Sequence, residues 1–172
     1  MPKNARNVAQ SFSELEPAII SACDTHESLH KHEQDYKRCI ISENFFVKFD
    51  SRSSLFPQYI TQDYLFLFTA RDSNAPRVPQ FYYFFTNQTT RIAYLVMEYI
   101  ATLAPPSVQG VARALEWLRS VPKPPETTIG RLGGGCARHV LFKNNEAPLS
   151  FSSVVALEKY LNTVRLYSFI FC

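Results

Sequence analysis

The sequence predicts an α+β fold, in which an antiparallel sheet of about five strands packs beside one helix and further helices follow. Short runs of aromatic and β-branched residues, which are typical of strands, recur between residues 38 and 97. Clusters of Asp, Asn, Ser and Pro separate these runs and predict turns. Elsewhere, apolar residues recur every three or four positions, which indicates helices that are apolar on one side.

The composition is that of one folded domain. Of the 172 residues, 46% are hydrophobic and 14% aromatic, enough for a sizeable core. The net charge of +3 is mild and the basic residues form no patch, so we expect no nucleic-acid partner. No apolar run approaches the length of about 20 residues that a membrane helix needs, and the N-terminus lacks the apolar core of a signal peptide. We therefore expect no membrane partner and a cytoplasmic location.

The N-terminal part predicts a helical lead-in over residues 1–20, followed by a polar stretch over residues 24–37. On a helix, His26 and His30 of this stretch share a face, as metal ligands would. No third ligand lies at zinc-finger spacing, so we favour a solvated polar loop and expect no metal site. The cysteines also lack paired metal spacing, and we expect reduced and mostly buried thiols at positions 23, 39, 136 and 172.

A strand hairpin is predicted next, with residues 38–41 and the run Phe45–Asp50 joined by a tight turn over residues 42–44. The second run is apolar except for its end and for one lysine, Lys48, in its middle. Burying an ammonium group is costly unless a partner holds it, so this side chain either reaches solvent or meets an anion.

The stretch from Phe56 to Ala70 is ambiguous. Residues 64–68 have strand propensity, whereas Ile60, Tyr64 and Leu67 fit a helix, and periodicity alone does not decide between the two for a short apolar run. We favour a helix from about 55 to 70. A turn cluster over residues 71–76 follows it.

The next residues predict two strands, 80–85 and 92–97, joined by a polar turn over residues 87–90. Two helices follow. The first carries apolar residues at helical spacing and ends at Pro122; they are Val108, Val111, Leu115 and Leu118. The second, over about 153–165, begins at a capping Ser152 or Ser153. Between these helices, Gly133–Gly135 lacks the lysine and hydroxyl of a Walker phosphate loop, so we favour a flexible turn there.

This order of elements resembles the small lobe of the protein-kinase-like superfamily. It is most similar to the aminoglycoside-phosphotransferase-type kinases, in the expanded form common in mushroom-forming fungi. The resemblance covers roughly residues 20 to 165, and its motifs are Asn44–Phe49, Ala75–Pro79, Tyr94–Ile100, Leu115–Leu118 and Leu132–Cys136. It implies an N-lobe over residues 21–100 that ends in a hinge, and an incomplete C-lobe over residues 101–172.

The resemblance also implies an ATP site. Lys48 would bind the α- and β-phosphates of ATP, and Met97 would narrow the back of the adenine pocket. The backbones of Glu98 and Ile100 would give adenine its acceptor and donor. The alternatives are an edge-strand lysine with a solvated tip, and a Glu98 side chain that is solvated or locally paired.

Three departures from the family pattern affect this site. The helix over 55–70 contains no glutamate to hold the lysine, and Gln62, beside Asp63, is nearest the expected place. The stretch 24–37 stands where a glycine-rich loop would lie and has no glycine. The catalytic loop and the aspartates that hold Mg²⁺ have no counterpart in the sequence.

The sequence therefore predicts a truncated kinase-like protein with an ATP-binding small lobe, inactive in phosphoryl transfer by itself and with no catalytic residue. The alternative is a non-catalytic protein-interaction module on a kinase-like scaffold. A third reading is an unrelated α+β domain in which Lys48 is structural. The apolar faces of the two late helices and the tail 166–172 predict self-association or a protein partner.

Overall fold

The computed structural model describes residues 4–42, 44–101, 105, 107–122, 124, 129–132, 134–139, 142 and 145–170. Over residues 4–13 and 164–170, which are helical, only the backbone is described. The chain divides into two compact units, Met1–Val121 and Pro122–Cys172. The boundary falls at the proline-rich connector that follows the first late helix.

The first unit contains the sheet and three helices. Its elements are, in chain order, α1 (Asn4–His30), β1 (Cys39–Ser42), β2 (Phe45–Ser51), α2 (Arg52–Thr69), β3 (Phe81–Thr86), β4 (Ile92–Glu98) and α3 (Val108–Ser120). The α+β class is therefore confirmed. The described residues form four strands, where the sequence predicted about five.

All strand pairs of the sheet are antiparallel, and the strand order is β1-β2-β4-β3. The inner position of β2 overturns the alternative that Lys48 lies on an edge strand. Lys48 lies opposite Cys39 of β1 and Leu95 of β4. The pairing of β3 with β4 contains one irregularity, between Phe81 and Tyr83.

Helices cover both faces of this sheet, because alternate residues of each strand point to opposite sides. On one face, Ile19 and Cys23 of α1 pack against buried residues of the sheet, namely Val47, Phe49, Phe85, Tyr94 and Val96. On the other face, Leu55 of α2 packs against Ala93, Leu95 and Met97. Strand β4 is consequently buried from Ala93 to Met97, which explains its unbroken apolar sequence.

Helix α1 is longer than the sequence predicted. It continues to His30, so residues 24–30 are helical and the predicted polar loop is confined to residues 31–38. Ile19 and Cys23, one turn apart, are both buried against the sheet and hold this part of the helix. No glycine or proline follows Pro17 within the helix, so nothing in the local sequence ends it earlier.

The prediction of a helix from about 55 to 70 is confirmed, since these residues belong to α2. Ser51 caps this helix, since its hydroxyl accepts a hydrogen bond from the Ser54 amide at 3.3 Å. Tyr59 stacks on Phe84 of β3, with ring centroids 5.4 Å apart. Packing of one side of α2 against the sheet therefore selects a helix for this stretch, where periodicity alone did not decide between helix and strand.

Side-chain hydrogen bonds form two of the predicted turns, whereas the turn predicted over residues 42–44 includes residue 43, which lies outside the described residues. Asn87 accepts bonds from the amides of Thr89 at 2.9 Å and Thr90 at 3.3 Å, as Asn does in tight turns. Asp72 accepts the amide of Asn74 at 2.9 Å with one carboxylate oxygen. Its other oxygen accepts the indole N–H of Trp117, also at 2.9 Å, and so connects this turn to α3.

The second unit contains α4 (Val154–Ile170) and a small apolar cluster of its own. The predicted cap is confirmed, because the hydroxyl of Ser153 accepts the Ala156 amide at 3.2 Å. Phe142, Ala147 and Phe151 are buried in the cluster, and α4 adds Leu157, Tyr160 and Leu161 to it.

The glycine-rich segment of this unit is a turn, as predicted. Gly130 and Cys136 form an antiparallel bridge, and Gly134 and Gly135 adopt φ angles of +96° and +97°. Such angles are unfavourable for residues with a Cβ, which accounts for glycine at these positions. Gly133 lies outside the described residues. Among the described helices of the chain, none combines the length and apolar character that a membrane crossing requires.

Candidate anion-binding site around Lys48

Lys48 extends from the centre of the sheet toward α2. Its neighbours on the same side of the sheet are Leu95 and Phe46, which belong to the apolar layer under α2. The side chain is partly buried, and its ammonium group donates a hydrogen bond to Oε1 of Gln58 on α2, at 3.2 Å. The cation therefore lies at the rim of the layer between β2 and α2.

The amide of Gln58 is itself oriented. Its Nε2 donates to the carbonyl oxygen of Ser54, one turn earlier in α2, at 3.3 Å. An ammonium group has only donors, so the amide oxygen is the atom that must face Lys48. The two bonds of Gln58 thus connect the lysine to the capped first turn of α2.

No carboxylate neutralises Lys48 among the described residues, where none of the ion pairs involves it. Asp50, two positions along β2, is engaged elsewhere. It accepts Nη1 of Arg38 at 3.2 Å and the amide of Ser51 at 2.7 Å. Arg38 also donates to Glu27 of α1 at 2.6 Å. The positive charge of Lys48 is therefore available to an external anion.

Gln62 occupies a different place from the one that the sequence suggested. Its Nε2 donates to the carbonyl oxygen of Pro79 at 2.8 Å and lies 3.6 Å from Sδ of Met97. The residue that meets the lysine is Gln58, which precedes Gln62 by four positions, about one helical turn. Sequence reasoning missed it, although the four-residue spacing from Gln62 puts both on one helix face.

Met97 is buried in the layer between the sheet and α2, with Leu55 and Leu95. It lies on the same face of the sheet as Lys48 and two positions further along β4 than the residue opposite that lysine. A buried, polarisable side chain at this point can form an apolar wall, as the resemblance implies for the back of an adenine pocket.

Glu98 ends β4 with a carboxylate that is locally paired. Its oxygens accept the guanidinium of Arg77 and the backbone amide of Gln80, the latter at 3.2 Å. The hydrogen bond from Arg77, and then that from Gln80, hold the pKa of Glu98 below its usual range. The side chain therefore fastens the end of β4 to the segment before β3 and leaves only the backbone for ligand contacts.

Tyr99 and Ile100 follow the end of β4 outside regular secondary structure. The amide of Tyr99 donates to the carbonyl oxygen of Asn44 at 3.2 Å, which continues the pairing of β2 with β4. Within the described part of the chain, the amide of Ile100 donates to no backbone acceptor. A donor at this position is what the resemblance implies for adenine binding.

The histidines and cysteines have structural surroundings. Nε2 of His26 lies 3.1 Å from the carbonyl oxygen of Lys37, and the described residues hold no group of three or more potential metal ligands. Cys23 is fully buried, and burial, followed by the nearby carboxylates of Asp24 and Glu27, raises its pKa to about 12. Cys23, Cys39 and Cys136 are free thiols, but only Cys23 is buried, so the expectation of mostly buried cysteines is wrong for the described residues. Cys172 lies outside the described residues.

Comparison of the chain with protein-family models, with curated proteins and with solved structures found no match. The five site residues that the resemblance suggested fall into separate contacts: Lys48 with Gln58, Gln62 with Met97, and Glu98 with Arg77, while Ile100 follows on the open backbone.

Proposed function

We propose that the first unit binds ATP weakly in a kinase-like small-lobe arrangement and does not itself transfer a phosphoryl group. The observation that carries this proposal is Lys48, a partly buried cation on an inner strand whose partner is a neutral amide. None of the ion pairs among the described residues involves this ammonium group, so its charge is open to an external anion. The polyphosphate of a nucleotide supplies that anion.

The order of the elements around the lysine supports the nucleotide assignment. The lysine strand β2 leads into α2, and the chain then returns through β3 and β4 to the residues that follow Glu98. Strand β4 lies beside β2, so this segment begins next to the strand that carries the cation. In a kinase-like arrangement this segment contacts adenine while the lysine contacts phosphate.

Phosphoryl transfer is not part of the proposal. It depends on a base that positions the acceptor and on carboxylates that hold Mg²⁺, and the sequence has no His-Arg-Asp-type catalytic loop. The chemistry that remains is binding of the nucleotide, without turnover.

Calorimetric titration of ATP into the whole chain tests this function. Lys48→Ala should weaken binding at least about tenfold, because a charge-assisted contact with phosphate is lost. Lys31→Ala, which removes an exposed cation of the first unit, is the matched control and should bind like the native chain. Equal affinity in the native chain and Lys48→Ala would remove the lysine from its proposed role. Magnesium-dependent transfer of phosphate to an aminoglycoside or a peptide would contradict the absence of catalysis.

A second candidate function, a protein-interaction module, is favoured by the surface of α3. Four apolar side chains of this helix are exposed on one side: Val108 by 85%, Val111 by 45%, Leu115 by 56% and Leu118 by 42%. Contiguous apolar surface of this kind is typical of interfaces. The two functions are not exclusive, since α3 and Lys48 belong to different parts of the first unit.

A further inference from the structure

We propose that strand β1 is a docking edge for a partner protein. An extended segment of that partner adds to the sheet as a further antiparallel strand and carries acidic residues toward its C-terminal end. β1 is an edge strand, since the order β1-β2-β4-β3 gives it only one neighbour. In such an addition, main-chain hydrogen bonds supply affinity and alternate side chains supply specificity. The proposal does not depend on nucleotide binding.

The hydrogen-bond pattern of the sheet shows which backbone groups of β1 face outward. The amide of Phe49 donates to the carbonyl oxygen of Arg38 at 3.0 Å, so these two residues form a hydrogen-bonded pair of the antiparallel ladder. Such pairs alternate with pairs whose N–H and C=O groups point away from each other. Ile41, three positions after Arg38 and opposite Phe46, therefore directs both of its backbone groups away from β2. Among the described residues, neither group has a partner on this side.

The edge of β1 lacks the features that usually prevent strand pairing. The strand Cys39–Ser42 contains no proline, glycine or charged residue. The other edge strand, β3, has an irregularity between Phe81 and Tyr83, which interrupts the regular pairing pattern. The side chain of Ile41 is 56% exposed, so an added strand would bury apolar surface as well as pair the backbone.

A cavity of about 430 Å³ lies against this edge and is open to solvent. Its described lining residues come from α1, β1 and β2, and most of them are apolar: Ala22, His26, Cys39, Ile40, Ile41 and Phe46. His26 is held in place, because its Nε2 lies 3.1 Å from the carbonyl oxygen of Lys37 and its ring centroid lies 5.6 Å from that of Tyr36. Such a cavity accepts an apolar side chain of the incoming segment.

Charge complementarity gives the acidic character of the segment. Lys37, just before β1, is exposed, and Lys48 lies one strand further in, opposite Cys39. Neither lysine belongs to an ion pair among the described residues, whereas Arg38 is already paired with two carboxylates. In an antiparallel addition, the C-terminal end of the incoming strand lies beside the start of β1. Acidic residues at that end therefore approach the two lysines.

Selection of a phage-displayed library of random octapeptides against the whole chain tests the proposal. We expect enrichment of peptides with β-branched residues at alternate positions and with Asp or Glu toward the C-terminus. Ile41→Pro should bind an enriched peptide at least about tenfold more weakly, because proline removes the outward N–H. The pairing of β1 with β2 does not use that N–H, so the fold should tolerate this change. Ile41→Thr keeps the donor and the β-branched shape and is the matched control, with affinity close to native. Lys37→Ala should weaken binding several-fold.

Two measurements on the native chain test the strand geometry directly, and they decide the question even if Ile41→Pro does not fold. N-methylation of the peptide, one amide at a time, should reduce affinity at every second central position, because alternate amides face β1. Hydrogen exchange of the Ile41 amide should slow at least about tenfold in the complex, and exchange of the Ile40 amide, which already belongs to the ladder, should slow less.

The proposal is wrong if the library yields no enriched peptide, if Ile41→Pro or Lys37→Ala binds as tightly as the native chain, or if the effect of N-methylation does not alternate. A second copy of the chain is the other possible occupant of this edge. If the native chain is a dimer that Ile41→Pro converts to a monomer, the edge belongs to that second copy and not to a partner segment.

Discussion

Glu98 shows how a single residue can be tied to its surroundings at the end of a strand. Its carboxylate accepts bonds from the Arg77 guanidinium and the Gln80 amide, and its pKa is held below the usual range. A carboxyl group whose pKa is lower in the folded chain stabilises the fold above its ordinary pKa. That contribution is lost as the pH falls through the lowered value.

Arg77→Ala should therefore raise the pKa of Glu98 toward its ordinary range, since the hydrogen bond from Arg77 is the largest cause of the lowering. The pair is largely exposed on the arginine side, so we expect a cost of about 0.2–1 kcal/mol at neutral pH. The difference in stability between Arg77→Ala and the native chain should vanish below the lowered pKa, where Glu98 is protonated in both proteins. Carboxyl titration by NMR and urea unfolding at several pH values check this. A Glu98 pKa that does not move would show that Arg77 has no electrostatic role.

The sequence could show that Lys48 needed a partner, but not which partner it has. A cation within an apolar strand is visible in the sequence because its burial is costly. The identity of the partner depends on how α2 is rotated on the sheet, and the packing of Leu55 and Tyr59 decides that rotation. This is why Gln62 was the expected neighbour, whereas Gln58, one turn earlier, is the residue that meets the ammonium group.

Among the elements, prediction succeeded where a local signal was sufficient. The turns at Asp72 and Asn87, the cap at Ser153 and the strands β3 and β4 all follow from side chains that act on their own neighbourhood.

The length of helix α1 was underestimated, because its last turns contain no local sequence signal of this kind. Their polar residues are held by distant partners, as when Arg38 donates to Glu27 at 2.6 Å. The apolar stripe of the helix ends with Cys23, so the sequence from Asp24 onward resembles a loop.

Helix α3 gives a prediction at this scale, because one buried residue fastens it. Trp117 is buried and donates its indole N–H to Asp72 at 2.9 Å, in the turn that follows α2. Trp117→Phe keeps an aromatic ring but removes the donor, and it leaves one oxygen of Asp72 without this bond.

We expect Trp117→Phe to destabilise the chain by about 1–3 kcal/mol, the usual combined effect of a lost hydrogen bond and a smaller buried side chain. Urea unfolding measures the change. Asp72→Ala, which removes the acceptor, is the partner variant, and in the double variant the two effects should not add, because both substitutions break the same hydrogen bond. Strict additivity would mean that the indole bond contributes nothing.

At the scale of the whole molecule, most of the strand residues are packed into buried clusters, whereas helix α3 leaves apolar side chains exposed. The first unit buries apolar residues on both faces of its sheet, and the second has a separate cluster around Phe142 and Phe151. The stripe of α3, defined by Val108, Val111, Leu115 and Leu118, stays exposed although it has the spacing of a buried helix face. Self-association or a protein partner is the outcome that the sequence predicted for such a surface.

A charge placed in the middle of this stripe tests whether the surface drives association. Leu115→Glu should shift the chain toward monomer in sedimentation or light-scattering measurements across a concentration series, because burying a carboxylate in an apolar contact is costly. Its melting temperature should change little, since Leu115 is 56% exposed and contributes little to the core. Gln109→Glu adds the same charge to the same helix at another exposed position and should leave association unchanged. If the native chain remains monomeric at every concentration and binds no hydrophobic dye, the α3 stripe is not a self-association surface.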